Sequence, residues 1–482
     1  MIPIHTFAAT LHVPADHPTI QSCIKAAVSG QDKCVVAPRT YNKLINFLGK
    51  AIALRSSHGP EVTTIDGTGL DGSVVICRQN ENEKACLVGF TVSGGNGFNY
   101  YGYKLGGGMY IVDSSPSLSN CVFSRNSSDD GGGLYMFGSE SRISSCNFVS
   151  NTGFDVGGGI ASFSSHPSLI NCRFWSNSST GTPGLGGAMY NNQSSPTIQS
   201  CDFENNQAKN GGAFYSEYGT PIISNCIFLR NIARSGAGLL HAYWSTPRIT
   251  QSIFIANFAT QGAGGGLHAI SHAGPVLTGC TLTHNSASYD GSALAFIVDS
   301  PAKLNNCIVR GDASSILVET GYQHPVFTQS DIAGGIPLRG IDGGGNVDLD
   351  PMFVRSPDDG SDGWGDDPAT PDLDESMNDD YGDLRLQPSS PCINAGDPDF
   401  VRQPGETDLD GHARVLCERV DMGAYEFGIG DYDCDQAVTL SDFSAWPDCM
   451  TDPTDCSAFD FDADGDVDLF DFSQLTLTPP LR

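Results

Sequence analysis

Two twelve-residue stretches near the carboxy end carry the clearest chemistry in the chain. Asp431, Asp433, Asp435, Ala437, Thr439 and Asp442 stand at positions 1, 3, 5, 7, 9 and 12 of the first. Asp460, Asp462, Asp464, Asp466, Asp468 and Asp471 hold the same positions in the second, with Gly465 at position 6. Carboxylates on alternate residues, a backbone carbonyl at position 7 and an acid at position 12 are the spacing by which a short loop wraps one Ca²⁺. In the first loop Ala437 offers that carbonyl, and Gln436 replaces the turn glycine. That substitution predicts a weaker or distorted first site. Six carboxylates crowded into the second loop repel one another strongly without a cation. Apolar residues follow each loop at helical spacing: Leu440, Phe443 and Trp446, then Leu469, Phe472 and Leu475.

Two further sets depend on the middle of the chain folding as stacked copies. Arg173 and Trp175 would lie one strand spacing from Asp202 and Glu204, where carboxylates beside a cation and a ring are candidates to bind or cleave a glycan. A cross-coil salt bridge on a solvated face accounts for the same residues. Tyr110, Tyr135, Tyr190, Tyr215 and His268 form the second set, an outward column of rings suited to stacking on sugars. A ladder that only stabilises the stack is the competing reading. His241, His268, His272 and His284 fall in different columns, which argues against a shared metal.

The elements that must position these residues announce themselves by period. Cys121-x-Phe123-x-x-Asn126 returns as Cys146/Phe148/Asn151, Cys172/Phe174/Asn177, Cys201/Phe203/Asn206 and Cys226/Phe228/Asn231. Looser copies are Ser252/Phe254/Asn257, Cys280/Leu282/Asn285 and Cys307/Val309/Asp312. The spacing is 25 to 29 residues, which means one structural unit piled on copies of itself. A glycine corner runs in phase, from Gly106-Gly107-Gly108 to Gly291, and a proline such as Pro116 or Pro167 opens the next strand. Alternation within the short runs argues for strands. Glycine supplies positive φ at one corner; asparagine is expected to adopt the left-handed region at the other and to bond to its copies. The fold class is therefore all-β, a parallel β-helix with coils about 4.8 Å apart. Stacking at that spacing keeps the coil cysteines too far apart to bridge, so they read as small buried apolar groups.

Residues 20, 23, 24 and 27 give the start of the chain an amphipathic helix, suited to covering the first coil. Charge divides the chain. Residues 341–482 carry a net −29 and residues 1–340 a net −1, within a total of −30. Such an acidic third excludes nucleic acid and anionic membrane surfaces as partners and favours cations. No stretch is long and apolar enough to span a membrane, and Met1–Thr10 lacks the features of a secretory signal. The expected organisation is a β-helix over 12–335, an acidic Asp/Gly/Pro-rich loop region over 336–382, a small module over 383–428 and the paired calcium loops over 429–482. Cys392 and Cys417 are a candidate bridge within the small module.

The wording Val13-Pro14-Ala15-Asp16, Pro18-Thr19-Ile20-Gln21 and Val36-Ala37-Pro38-Arg39-Thr40-Tyr41 resembles the pectin-lyase-like right-handed β-helix family of bacterial surface proteins. Pro391-Cys392-Ile393-Asn394-Ala395-Gly396-Asp397, Asp408-Leu409-Asp410-Gly411 and Val420-Asp421-Met422-Gly423-Ala424-Tyr425-Glu426 resemble a module found beside surface-anchoring tails. The two calcium loops with their helices resemble a type I dockerin-like module, which implies two bound Ca²⁺ and a cohesin-like partner. Together these resemblances imply an extracellular or cell-surface protein whose β-helix binds a polysaccharide or cell-surface glycan. The alternative they leave is a polysaccharide lyase or glycoside hydrolase. The pectin methylesterase and polygalacturonase sequence blocks are not visible.

Overall fold

The computed structural model describes residues 9–311, 314–319, 321–360, 364, 378–403, 406–417 and 419–428. The calcium ligands, the 429–482 module and Asp312 lie outside the described residues. The described residues up to 346 form a parallel β-solenoid of about twelve turns.

Each turn is three short strands, from sheets A, B and C, and the middle turns add a fourth from sheet D. In one full turn, Ser117–Ser119 belongs to sheet A, Val122–Ser124 to sheet B, Ser127–Asp130 to sheet D and Leu134–Phe137 to sheet C; Arg142–Ser144 then returns to sheet A. The four sheets hold 14, 12, 9 and 11 strands for A, B, D and C. Neighbouring turns pair in parallel and in register, so Phe123 faces Phe148 and Met109 faces Leu134. Like side chains therefore pile on like. The phenyl rings of Phe148, Phe174, Phe203 and Phe228 stack at 4.8 Å with planes 3–6° apart. The coil cysteines line the same core as free thiols, as their spacing predicts.

The asparagines run in a single file. From Asn126 to Asn257, each side-chain amide donates to the amide oxygen of the next asparagine at 2.8–3.1 Å. Each also donates to a backbone carbonyl of the preceding turn, as Asn177 does to Phe148 at 2.8 Å. A buried amide left unpaired would be costly, and this file pairs both ends of each interior one. One local expectation is corrected. The left-handed residue at this corner is the one before the asparagine: Arg125, Ser150, Ser176, Asn205, Arg230, Ala256 and His284 have φ of 51–55°. That kink frees the following asparagine to point inward. At the other corner the first glycine is left-handed, as at Gly131 with φ 66°. A Cβ on Gly132 or Gly133 would meet carbonyl oxygens of the next turn at 2.4–2.6 Å.

Near the amino end, Ile20–Ala26 forms the expected helix, with Thr19 and Ser22 in a reciprocal capping box and Ile20, Cys23 and Ile24 buried. Cys23 is bridged to Cys34, a disulfide the spacing of the repeat does not foretell. The Cys392–Cys417 bridge does not form. Cys392 is a free buried thiol, and Cys417 is disulfide-bonded elsewhere.

Residues after 346 fold back onto the solenoid. Phe353–Arg355 pairs antiparallel with Asp383–Leu386, which ties the described part of the acidic loop region to the module that follows. This unit covers the outer face of sheet B over several turns. Ile253, Ile255 and Ile308 are buried against Phe353, Leu384, Leu386, Met422 and Ala424. Polar seams hold it there: Asn306 accepts from the backbone of Asp397 at 2.7 Å, and Thr281 accepts from Ala424 at 3.1 Å.

Candidate functional site

Sheet B places the first set as the repeat requires. Arg173 lies opposite Asp202, and Trp175 opposite Glu204. The Glu204 carboxylate is clamped by Arg173 on one side and by Arg230, at 3.0 Å, on the other. Burial alone would raise its pKa, but the two guanidinium hydrogen bonds outweigh burial and hold it below the ordinary value. Arg230 also reaches Asp379 at 3.7 Å and lies over the Tyr381 ring at 5.2 Å. These charges are therefore mutually neutralised at the rim of the covering unit. Trp175 and Arg173 both keep a large free surface, with the Arg173 guanidinium 5.8 Å from the Trp175 ring centre. The group reads as a seam that docks residues 378–381; Glu204 is not a free base, while Asp202, opposite Arg173, stands outside the clamp with its pKa raised chiefly by desolvation.

The tyrosine column is outside the lumen but is not exposed. Tyr110, Tyr190 and Tyr215 are 5, 5 and 7 % exposed, and His268 is buried. Alternation predicted the outward direction correctly. It could not show that sheets D and C meet across the glycine corner so that Val156 and Leu185, just before that corner, pack with Tyr190 and Tyr215 just after it. The rings form a ladder running Phe98, Tyr110, Tyr135, Phe163, Tyr190 and Tyr215, with centroids 4.6–5.7 Å apart. The Tyr190 hydroxyl donates to Glu217 at 2.7 Å.

One end of this corner holds a group that the repeat does not reveal. Phe98–Tyr100 and Tyr103–Leu105 form an antiparallel hairpin, and Leu105 joins sheet D opposite Asp130. The hairpin carries Tyr100, Tyr101 and Tyr103, and Phe154 stands out two turns along; the four are 51–94 % exposed. Tyr103 donates to Asp155 at 2.7 Å, and Lys104 donates its backbone N–H to Asp129 at 2.7 Å. Burial, followed by the charges of Asp155 and Asp129, pushes Asp130 up to about 7. The hydrogen bond to Asp155 leads the causes that push Tyr103 up to about 12. Three carboxyl groups thus sit beneath a wall of exposed rings. The one signal available beforehand was position: Asp129, Asp130 and Asp155 all fall just before a glycine corner.

A further cluster, Asp408, Asp410 and His412, has donor atoms within 4.8 Å of one another. Its acids are already engaged. Asp408 accepts from the backbone of Asp410, His412 and Glu426, and Arg385 takes both oxygens of Asp410. Arg414, fully buried, pairs with Glu426 at 2.7 Å. This is the framework of the C-terminal unit.

Residues 40–254 match the family model described as a right handed beta helix region. Among solved structures, pectate lyase Pel9A is 13 % identical, with 87 % of this chain and 96 % of that one covered and a TM-score of 0.44. The PL6 family alginate lyase AlyGC is 13 % identical over 78 % of this chain and 58 % of its own length, with a TM-score of 0.32. The receptor binding domain of the Siphovirus 9NA tailspike is 10 % identical over 76 % and 82 %, with a TM-score of 0.26. No curated protein matches the chain. No helix among the described residues is long and apolar enough to cross a membrane.

Proposed function

We propose that this chain is an exported glycan-binding rod, closed at its first coil by the helix Ile20–Ala26 and tethered through a Ca²⁺-loaded dockerin-like tail. The observation that carries the reading is the hairpin corner. Tyr100, Tyr101, Tyr103 and Phe154 present open rings, and Asp129, Asp130 and Asp155 beside them offer hydrogen-bond acceptors to hydroxyl groups. Rings that stack on sugar faces and acids that accept from sugar hydroxyls are the two needs of a hydroxyl-rich ligand. Acidic glycans would be repelled there, so the corner favours neutral or amino sugars. The tail's donor set, all carboxylate, carbonyl and hydroxyl oxygen, fits Ca²⁺ and not a softer metal. Asp431, Asp433, Asp435, Ala437, Thr439 and Asp442 would hold one ion; Asp460, Asp462, Asp464, Asp466, Asp468 and Asp471 would hold the other. A cohesin-like protein is the partner that tail would dock.

The test is a screen of the whole chain against soluble neutral, amino-sugar and uronic polysaccharides. Retention by a neutral or amino-sugar polymer, weakened tenfold or more in Tyr101→Ala/Tyr103→Phe, is expected. Binding confined to uronic polymers, or indifferent to those changes, would overturn the assignment.

One observation favours a second reading, glycoside hydrolysis. Burial and the charges of Asp155 and Asp129 push Asp130 up to about 7, the range of a general acid, and Asp155 stands beside it as the second carboxyl that such hydrolysis needs. Release of reducing ends that disappears in both Asp130→Asn and Asp155→Asn would support hydrolysis over binding alone.

A further inference from the structure

The turn that leads from sheet C to sheet A spans four residues at 138–141, 164–167, 193–196 and 218–221 and five at 243–247, 271–275 and 298–302, and its side chains change abruptly along the stack. Its left-handed residue is Gly138, Ser164 or Gln193 in three consecutive coils, with φ of 45–60°. The next four-residue turn opens on Tyr218 (φ 54°), and the five-residue turns open on two left-handed residues each: Tyr243 and Trp244 (45° and 59°), Ser271 and His272 (57° and 67°), then Val298 and Asp299 (both 54°). The turn therefore does not need rings, and a bulky residue in that region is less favoured than glycine or a small polar one. Nor does folding gain their burial, since Tyr218, Tyr243 and Trp244 remain 43–60 % exposed.

These side chains form one ordered surface. Tyr218 stacks on Tyr243 at 5.6 Å and 13°, and on Trp244 at 6.3 Å and 25°; Trp244 stacks on His272 at 5.1 Å and 23°. Within the three turns 217–221, 242–247 and 270–275 the only formal charge is Glu217. Its carboxylate is taken by the Tyr190 hydroxyl and the Asn192 amide. Ser195 of the preceding turn pairs its hydroxyl with that of Thr220 at 3.1 Å.

We propose that Tyr218, Tyr243, Trp244 and His272 form a second glycan-binding site, one that takes uncharged polysaccharide. A nucleic acid would need cations that the three turns lack. A cationic ligand would need free carboxylates. An uncharged ligand with an apolar face and hydroxyl edges matches a bare ring platform rimmed by hydroxyls. The site lies at the opposite end of sheet C from the hairpin corner and on different coils, so the two stand independently although both rest on the glycan-binding reading.

The experiment uses the whole chain in affinity electrophoresis through mixed-linkage β-glucan, galactomannan or amylose, with polygalacturonate and alginate as acidic controls. At least one neutral polymer should retard the wild type. Trp244→Ser/Tyr218→Ser should weaken that retardation tenfold or more, while Trp244→Phe keeps most of it. Unchanged circular dichroism and the behaviour of Trp244→Phe separate lost binding from lost folding. If no neutral polymer retards the wild type, this site falls; the glycan-binding reading falls with it only if amino-sugar polymers also fail to retain the chain. If hairpin-corner variants lose retardation and platform variants do not, this site alone falls. It falls equally if the platform variants change only the sedimentation of the chain, which would make the rings a protein contact.

Discussion

Replacing Asn177 tests the asparagine file where it is most fully bonded. Its side-chain oxygen accepts from the backbone N–H and the amide of Asn151, at 3.1 and 3.0 Å. Its amide donates to the Phe148 carbonyl at 2.8 Å and to Asn206 at 3.0 Å. Asn177→Ala removes all four. The Asn151 backbone N–H is then buried without a partner, which costs about 1–3 kcal/mol by itself. A cavity and one-sided amides on Asn151 and Asn206 bring the expected loss to about 3–5 kcal/mol. Asn177→Asp keeps the shape but points an acceptor at two acceptors, so it should lose more at pH 7 and recover part of the difference at pH 4, where a carboxyl can donate. Stacked repeats can open locally, so guanidinium unfolding should be joined to amide exchange of the coils on either side. Asn147→Ala, at an exposed position of the adjacent strand, is the control. A loss below about 1 kcal/mol, or one equal to that control, would refute the view that the file holds coil to coil.

Acid should weaken the solenoid through His241. Full burial lowers its pKa to about 3, so from about pH 6.5 down to 3 the unfolded chain binds a proton that the folded chain refuses. Stability therefore falls on acidification by about 1.4 kcal/mol per unit across that window; His241→Leu should flatten the slope of unfolding midpoints between pH 7 and 4.5, and an unchanged slope would count against it. Asp130 acts with the opposite sign, its raised pKa taking stability away as pH climbs from about 4 to 7. Glu204→Gln should loosen the docking of residues 378–381, seen as faster amide exchange in Phe353–Arg355, with a global cost of about 1 kcal/mol or less because the pair is partly solvated. Calorimetry on the whole chain should find two Ca²⁺ per molecule, reduced to one by Asp460→Ala/Asp464→Ala; no heat with Ca²⁺ would remove the tether.

What the chain discloses in advance follows from which contacts repeat. Cys, Phe and Asn recur with the coil, so the lumen and its ladders could be read from spacing, and the register of Arg173 with Asp202 followed. Contacts made once leave no period. Asn225 reaches the carbonyl of Asp408 and Arg230 meets Asp379 across 183 and 149 residues, so nothing foretold that sheet B is half covered. Tyr190 and Tyr215 show the same limit from another side. Alternation gives a direction, in or out, and is silent on whether a neighbouring strand folds over what points out. The acids of the hairpin corner were missed because each stands in only one coil.

The asparagine file also bears on how such a molecule can change over generations. Every coil hands upward the same donors and acceptors that it receives from below, so a gene segment encoding one turn could be copied or lost without leaving a mismatch at the join. Rod length would then be adjustable in steps, and with it the reach between whatever the far coils grip and whatever holds the tail.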